Sequence, residues 1–219
     1  MKIKNIALVG NPNCGKTSLF NTLTGTRQKV ANYAGVTVER KEGSFKLPSG
    51  DAIRVLDLPG TYSLKPSSLD EEVTRAVCLG ELKGEILPDI FICVVDATNL
   101  SLHLSLVLEV RALNRPMILV LNMMDEVKKR GISIDKDKLS QLLGIPVVEA
   151  VAVKTKGIQD LINQLDQKNL FITPYHSELS HFEQVKIHKD ELLLNPGPLS
   201  TPYASLRPLI AQLIFVHLF

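Results

Sequence analysis

Gly10-Asn11-Pro12-Asn13-Cys14-Gly15-Lys16-Thr17 fits the pattern G-x4-G-K-[ST], and no other stretch constrains the chain as much. An apolar run, Ile6 to Val9, precedes it, and a helical pattern from Lys16 to Leu23 follows. Strand, glycine loop and helix in that order are the context the motif requires. The glycines let backbone N–H groups converge on a β-phosphate, and the helix N-terminus adds positive potential. Lys16 then acts as a point charge between β- and γ-phosphates, and the Thr17 hydroxyl is a Mg²⁺ ligand. Ser18 completes the phosphate-binding run.

The rest of the chain supplies a fold suited to such a loop. Ile53 to Leu56, Ile90 to Val95, Met117 to Leu121 and Ile145 to Val148 are apolar runs of strand length. Val38 to Leu47 alternates and is charged, which predicts an edge strand. Helical patterns at Leu69 to Leu82, Leu100 to Leu113, Asp135 to Leu143 and Ile158 to Leu165 lie between and after them. Strands alternating with helices predict an α/β fold: a P-loop NTPase, Ras-like, with a mainly parallel six-stranded sheet covered on both faces. The alternation stops near Gln167 to Pro174, so residues 1–168 are assigned to this G domain and 169–219 to a small all-helical appendage. In that appendage Ser180-x-x-Glu183 suits a capping box, Asn195-Pro196-Gly197-Pro198 a helix end, and Thr201-Pro202 the start of a second helix.

Composition narrows the function classes. Of 219 residues, 45% are apolar, enough for a sizeable core. Net charge is +2, with 25 basic and 23 acidic residues interspersed, which gives no electrostatic case for nucleic acid. Cys14, Cys78 and Cys93 lack metal-ligand spacing and suit a reducing compartment. Met1-Lys2-Ile3-Lys4 leads directly into a strand, without a signal-peptide pattern. Leu209 to Phe219 is apolar but shorter than the roughly 20 residues a spanning helix needs.

Two further motifs fall where a nucleotide needs them. Asp57-Leu58-Pro59-Gly60 follows the strand Ile53 to Leu56. An aspartate there holds Mg²⁺ through water, and the Gly60 N–H meets a γ-phosphate unobstructed by a side chain. Thr37, in the loop between the two motifs, is the candidate to close over Mg²⁺ when γ-phosphate is present; Thr24 and Thr26 compete but sit too near the first helix. Asn122-Met123-Met124-Asp125 follows the strand Met117 to Leu121. The Asp125 carboxylate accepts two hydrogen bonds from guanine N1–H and N2–H₂, a donor pair that adenine lacks. Asn122 ties this loop to the phosphate loop. After the last strand, Val151-Ala152-Val153 supplies backbone near the base, with the Ala152 N–H as candidate donor to guanine O6. GTP and GDP are therefore the expected ligands.

These elements, in this order, look like the five guanine-nucleotide boxes of a small GTPase. Their wording is more specific: GNPNCGKTSLFN, NYAGVTVERKEG, DLPGTYSL and NMMDE resemble the N-terminal G domain of the ferrous iron transport protein B family. The resemblance covers about Lys4 to Leu165. It implies the cytoplasmic GTPase domain of a bacterial inner-membrane Fe²⁺ transporter, followed by a helical domain and a membrane-spanning iron-transport part. Small accessory proteins of the iron-transport system and a homo-oligomer are the other partners it implies. The chain stops inside an apolar run with no cap, and reads as a piece of something longer.

Three positions depart from Ras-type wording. Thr61 stands where a catalytic Gln follows D-x-x-G, and is too short to orient water as that Gln does, which predicts either slow intrinsic hydrolysis or water placed by backbone. Met123 replaces the Lys of N-K-x-D and covers the purine with an apolar arm. Val151 replaces the Ser of S-A-K, which predicts loosely held nucleotide. By similarity to potassium-activated GTPases, Asn13 offers its side-chain carbonyl to K⁺, with loop carbonyls around Asn32 to Gly35 completing the cage; Lys16, Asn13, Thr37 and Gly60 are then the catalytic set.

The remaining features have plainer readings. Cys14 sits where a helix N-terminus lowers thiol pKa, yet fills the slot as a small residue. His176, His181 and His188 cluster in the tail without a dense ligand set. Lys128-Lys129-Arg130 reads as solvated loop. The alternatives are a free-standing RNA- or ribosome-assembly GTPase, which predicts a basic appendage that residues 169–219 lack, and a P-loop kinase, which would lack N-x-x-D.

Overall fold

β1 (Asn5–Gly10) is apolar on both faces and lies at the centre of the sheet. The computed structural model describes residues 3–25, 27–167 and 214–216. After β1 come α1 (Lys16–Thr24), β2 (Gln28–Asn32), β3 (Glu39–Lys46), β4 (Ala52–Asp57) and α2 (Leu69–Leu79). The chain continues through β5 (Ile90–Asp96), α3 (Leu100–Arg111), β6 (Met117–Asn122), α4 (Met124–Lys129) and β7 (Ile132–Ile134). α5 (Lys136–Leu143), β8 (Val147–Glu149) and α6 (Gln159–Asp166) follow, and β9 (Ile214–Val216) stands apart in sequence.

The main sheet has order β2-β3-β4-β1-β5-β6-β8; β4, β1, β5, β6 and β8 run parallel, while β3 is antiparallel to both its neighbours. The pleat sorts each central strand between two apolar layers. Ala7, Val9, Phe91, Cys93, Val95, Leu119 and Leu121 face one layer, which α2, α3 and α5 cover through Val73, Val77, Leu104, Val107, Leu139 and Leu143. Ile6, Leu8, Ile90, Ile92, Val94, Ile118 and Val120 face the other, covered by α1 and α6 through Leu19, Phe20, Leu23, Leu161 and Leu165. Such two-sided burial is why these strands read as unbroken apolar runs.

The expected sheet had six strands; the structure has seven. β2 is the addition: every one of its residues is exposed, so it carries no burial signature, and it pairs with β3 through backbone alone. β3 is thereby removed from the edge that the sequence assigned to it. Of the Lys128–Arg130 segment, expected as loop, Lys128 and Lys129 form the exposed end of α4 and Arg130 is the turn residue that follows it. Within the expected helical tail, Ile214–Val216 is instead a strand, antiparallel to β7. The capping signals at Ser180, Asn195 and Thr201 and the three tail histidines lie outside the described residues.

The topology places the site. Parallel strands β1, β4, β5 and β6 end on one side, and Gly10, Asp57, Asp96 and Asn122 are their carboxyl-terminal residues. The order reverses about β1, so the crevice outside these ends is where an α/β sheet takes its ligand.

Candidate functional site

The phosphate loop joins β1 to α1 through two left-handed residues, Asn13 (φ 62°) and Gly15 (φ 87°). A Cβ at Gly15 would sit 2.1 Å from Asn122 Nδ2, so backbone conformation and close approach both require glycine there. Gly15 also leads into α1, whose first residues are Lys16 and Thr17. Asp57, at the end of β4 and almost fully buried, receives both of them: Lys16 Nζ lies 3.2 Å from Oδ1 and the Thr17 hydroxyl donates to Oδ2 at 2.9 Å. A carboxylate and a hydroxyl oxygen at this spacing are hard donors of the kind Mg²⁺ takes. Ser18, one residue further along α1, is half-buried.

Cys14 is fully buried, and burial pushes its thiol up to about 11 against the opposing charge of Lys16. The small-residue reading therefore holds, and the helix terminus does not make a reactive thiolate. The Asn11 side chain is buried with neither amide atom hydrogen-bonded.

The second phosphate element leans on the first. The Thr61 N–H donates to Gly10 O at 3.2 Å, and a Cβ on Gly60 would come within 3.1 Å of Pro12. Thr61 is completely buried, its hydroxyl donating to Ser63 O at 2.6 Å with Glu71 Oε1 3.2 Å away. It is thus turned into the loop. Glu71 in turn accepts from the Ser67 N–H and hydroxyl, which holds its carboxyl below the ordinary value, while Ser68 caps α2 by accepting from the Glu71 N–H.

Thr37 is exposed and makes none of the hydrogen bonds that join Lys16, Thr17 and Asp57. Its loop is a short closed turn: Tyr33 and Val38 are buried anchors, the Tyr33 N–H donates to Val38 O at 3.0 Å, and Gly35 (φ 81°) turns the chain between them.

The base side is built around Asn122. This buried amide donates from Nδ2 to Cys14 O and accepts at Oδ1 from the Ala152 N–H, both at 2.9 Å. One side chain thus ties the phosphate loop to the N-x-x-D loop, as expected, and also reaches the loop after β8, which was not expected. The Ala152 carbonyl receives the Thr22 hydroxyl of α1 at 2.5 Å. The Ala152 N–H, the sequence candidate for guanine O6, is already engaged by Asn122 Oδ1 in this structure. Val153, the next residue, is largely exposed, at 72%, while Val151 is half-buried with its N–H donating to Gly157 O. Met123 is left-handed (φ 61°) and opens α4, which carries the half-buried Asp125 in its first turn. The Met123 methyl group lies 3.9 Å from where a Cβ on Gly15 would be, so it closes the gap between the two loops.

Sequence reasoning missed Glu109, which reaches from α3 to Ser63 and Leu64, and a cluster of Arg40, Glu42, Arg54 and Glu85 behind the Tyr33 loop. Neither has a local motif: the partners are 45 residues apart in the first and up to 45 in the second. Among the described residues no group of three or more His, Cys, Asp or Glu is placed to hold a metal ion, and no helix is long and apolar enough to cross a membrane.

A glycine loop on β1, an aspartate closing β4 and an asparagine–aspartate pair after β6 define a P-loop NTPase of the G-domain class. The family model described as ferrous iron transport protein B matches residues 4–165. The chain belongs to that family. It is 42% identical over 98% of its length to the Fe(2+) transporter FeoB of Salmonella typhimurium, of which it spans 27%. Among solved structures it is similar to the cytosolic domain of the T. maritima FeoB iron transporter in a GDP form, with a TM-score of 0.69 and 46% identity, covering 76% of this chain and 64% of that one. The GMPPNP form of the same T. maritima domain gives a TM-score of 0.69 and 41% identity, covering 83% and 72%. The family match decides against the free-standing assembly GTPase.

Proposed function

We propose that this chain binds GTP and GDP with Mg²⁺ and slowly hydrolyses GTP to GDP and phosphate, as the cytoplasmic nucleotide domain of a bacterial inner-membrane ferrous-iron transporter. The observation that carries the reading is the Asn122 bridge, which holds the loop of Lys16 and the loop of Asp125 as two walls of one site. The GDP and GMPPNP forms of the T. maritima relative support the nucleotide assignment. Its partners are the membrane part of the same protein, with small accessory proteins and a second copy as further candidates. Residues 1–168 are assigned to the G domain and 169–219 to a separate appendage, of which only the strand Ile214–Val216 is described.

In this reading Gly10 to Ser18 cradle the phosphates, and Lys16 releases Asp57 to pair with them. Thr17 and Asp57, with Thr37 from its loop, are the residues that would hold Mg²⁺, which would supply charge neutralisation at the phosphates. The Gly60 N–H meets the γ-phosphate. Asp125 takes the guanine edge, Met123 covers its face, and the O6 donor is Val153 rather than Ala152. Asn13, exposed at the left-handed crest of the loop, offers its amide carbonyl to K⁺, whose charge stands in for an arginine finger.

The test is nucleotide titration and turnover. Guanine nucleotides bind far more tightly than ATP, and Asp125→Asn shifts preference towards xanthine nucleotides. Turnover is faster in K⁺ than in Na⁺ at fixed ionic strength, and Asn13→Gly removes the difference. Equal affinity for ATP and GTP would end the base assignment; equal rates in both salts would end the K⁺ assignment.

A further inference from the structure

We propose that Glu109 is a positioning residue for the Gly60 loop: from α3, its carboxylate latches Ser63 and Leu64 and so fixes where that loop stands at the phosphate end of the site. The inference rests on the GTP-hydrolysis reading above for its kinetic consequence, though not for its structural one.

Both carboxylate oxygens accept from the Ser63 hydroxyl, at 3.0 and 2.9 Å, and Oε2 also takes the Leu64 N–H at 2.5 Å. Among the described residues, the hydrogen bonds that Glu109 accepts all come from this one loop. The loop in turn reaches the phosphate loop without a break: the Ser63 carbonyl receives the Thr61 hydroxyl, and the Thr61 N–H reaches Gly10 O. A covalent and hydrogen-bonded path therefore runs from α3 through Glu109, Ser63 and Thr61 to Gly10, and Gly60 adjoins it, bonded directly to Thr61. At its far end the loop is tied separately, by Glu71 to Ser67.

The setting of Glu109 is costly. Its neighbours on α3, Leu106, Val107, Leu108 and Val110, are all buried. Burial pushes the Glu109 carboxyl above its ordinary value, while the Leu64 N–H, Ser63 hydroxyl and Lys65 charge pull it back. An acid set into an apolar helix face must be offset by its partners, and here those partners belong to the segment that senses γ-phosphate. The clamp also explains the side-chain directions in the loop: Thr61 and Leu64 turn inward and are buried, leaving Tyr62 outward and 55% exposed.

The experiment compares wild type, Glu109→Ala, Glu109→Gln and Ser63→Ala in the 219-residue chain. Amide hydrogen exchange across residues 61–68 is measured with GDP bound, and GTP turnover and GDP affinity are measured alongside. Losing a hydrogen bond set to a charged acceptor opens the loop about tenfold more often. Glu109→Ala therefore speeds exchange there by about that factor and lowers kcat, with KM and GDP affinity changed less than about twofold. Glu109→Gln retains an acceptor for the Leu64 N–H and recovers most of both; Ser63→Ala falls between. Unchanged exchange in Glu109→Ala overturns the proposal. So does a parallel loss of kcat, KM, GDP affinity and melting temperature, which would mark Glu109 as general scaffold. If Glu109→Ala does not fold, Glu109→Gln and Ser63→Ala decide, and wild-type exchange in both overturns it. A wild type that turns over no GTP refutes the function proposed above, and the exchange comparison still decides the latch.

Discussion

Replacing Asn122 with alanine tests how the site is held together. The side chain is almost fully buried and makes two 2.9 Å hydrogen bonds, to Cys14 O and from the Ala152 N–H. Cys14 and Ala152 are themselves buried, so Asn122→Ala leaves a backbone acceptor and a backbone donor without partners. Each such orphan costs about 1–3 kcal/mol. The lost side chain opens a polar gap that admits water to one of them, so the lower half of the sum applies, about 3 kcal/mol. That is a large share of the 5–15 kcal/mol that typically holds a domain together, and corresponds to roughly 6–12 °C in melting temperature for a chain of this size. Urea unfolding of the nucleotide-free chain measures it directly. Asn122→Asp is the informative companion. It still accepts from the Ala152 N–H but sets a carboxylate oxygen against Cys14 O, so it destabilises at least as much as alanine despite its size. Guanine nucleotide affinity falls in both, because the two loops lose their shared strut. A loss under about 0.5 kcal/mol for Asn122→Ala, or an aspartate milder than the alanine, would refute the reasoning.

Gly15→Ala would put a Cβ 2.1 Å from Asn122 Nδ2 and strain a left-handed residue; combined with Asn122→Ala, where the amide is gone, its stability cost measured by the same unfolding is smaller than in the wild-type background. The charged cluster behind the Tyr33 loop gives a pH dependence. Burial raises the Glu85 and Glu42 carboxyls, but hydrogen bonds and charge from Arg40 and Arg54 outweigh it and leave both below the ordinary 4.5. A lowered folded pKa means stability present above that value and lost as pH falls through the folded one, so Glu85→Gln flattens the acid limb of stability against pH. Glu109, raised by burial, works in the opposite sense: its contribution is full below the ordinary carboxylate range and fades as pH rises through its folded value, so Glu109→Gln makes the curve flatter at the higher end of the acid range.

Much of this arrangement was legible in the chain because local pattern and tertiary role coincide. The runs at Ile6, Ile90 and Met117 are apolar throughout since both faces of their strands are covered, and the phosphate loop, Asp57 and Asn122 follow such runs directly. The tie from Asn122 to the phosphate loop was expected from its type and position. What stayed hidden lacks a local signature. β2 is exposed along its whole length and held by backbone pairing, so neither periodicity nor hydropathy marks it. α4 is six residues long, and its first two, Met124 and Asp125, belong to the N-x-x-D motif. The occupied Ala152 N–H follows from an amide 30 residues away, and the Glu109 latch from a loop 45 away. Both are facts of topology rather than of spacing.

The left-handed backbone at Asn13 bears on what evolution can write there. At φ 62° a β-carbon is crowded, and the residues that visit this region readily are glycine, asparagine and aspartate. Glycine brings no oxygen to a cation. Aspartate brings a negative charge beside triphosphate oxygens, where it repels the substrate. Asparagine alone carries a neutral carbonyl on a backbone shape that permits it. Under the K⁺ role proposed above, a lineage could abandon the monovalent-ion requirement in a single substitution to glycine without disturbing the loop. Regaining it would allow one amino acid out of twenty, so the trait is easier to lose than to acquire.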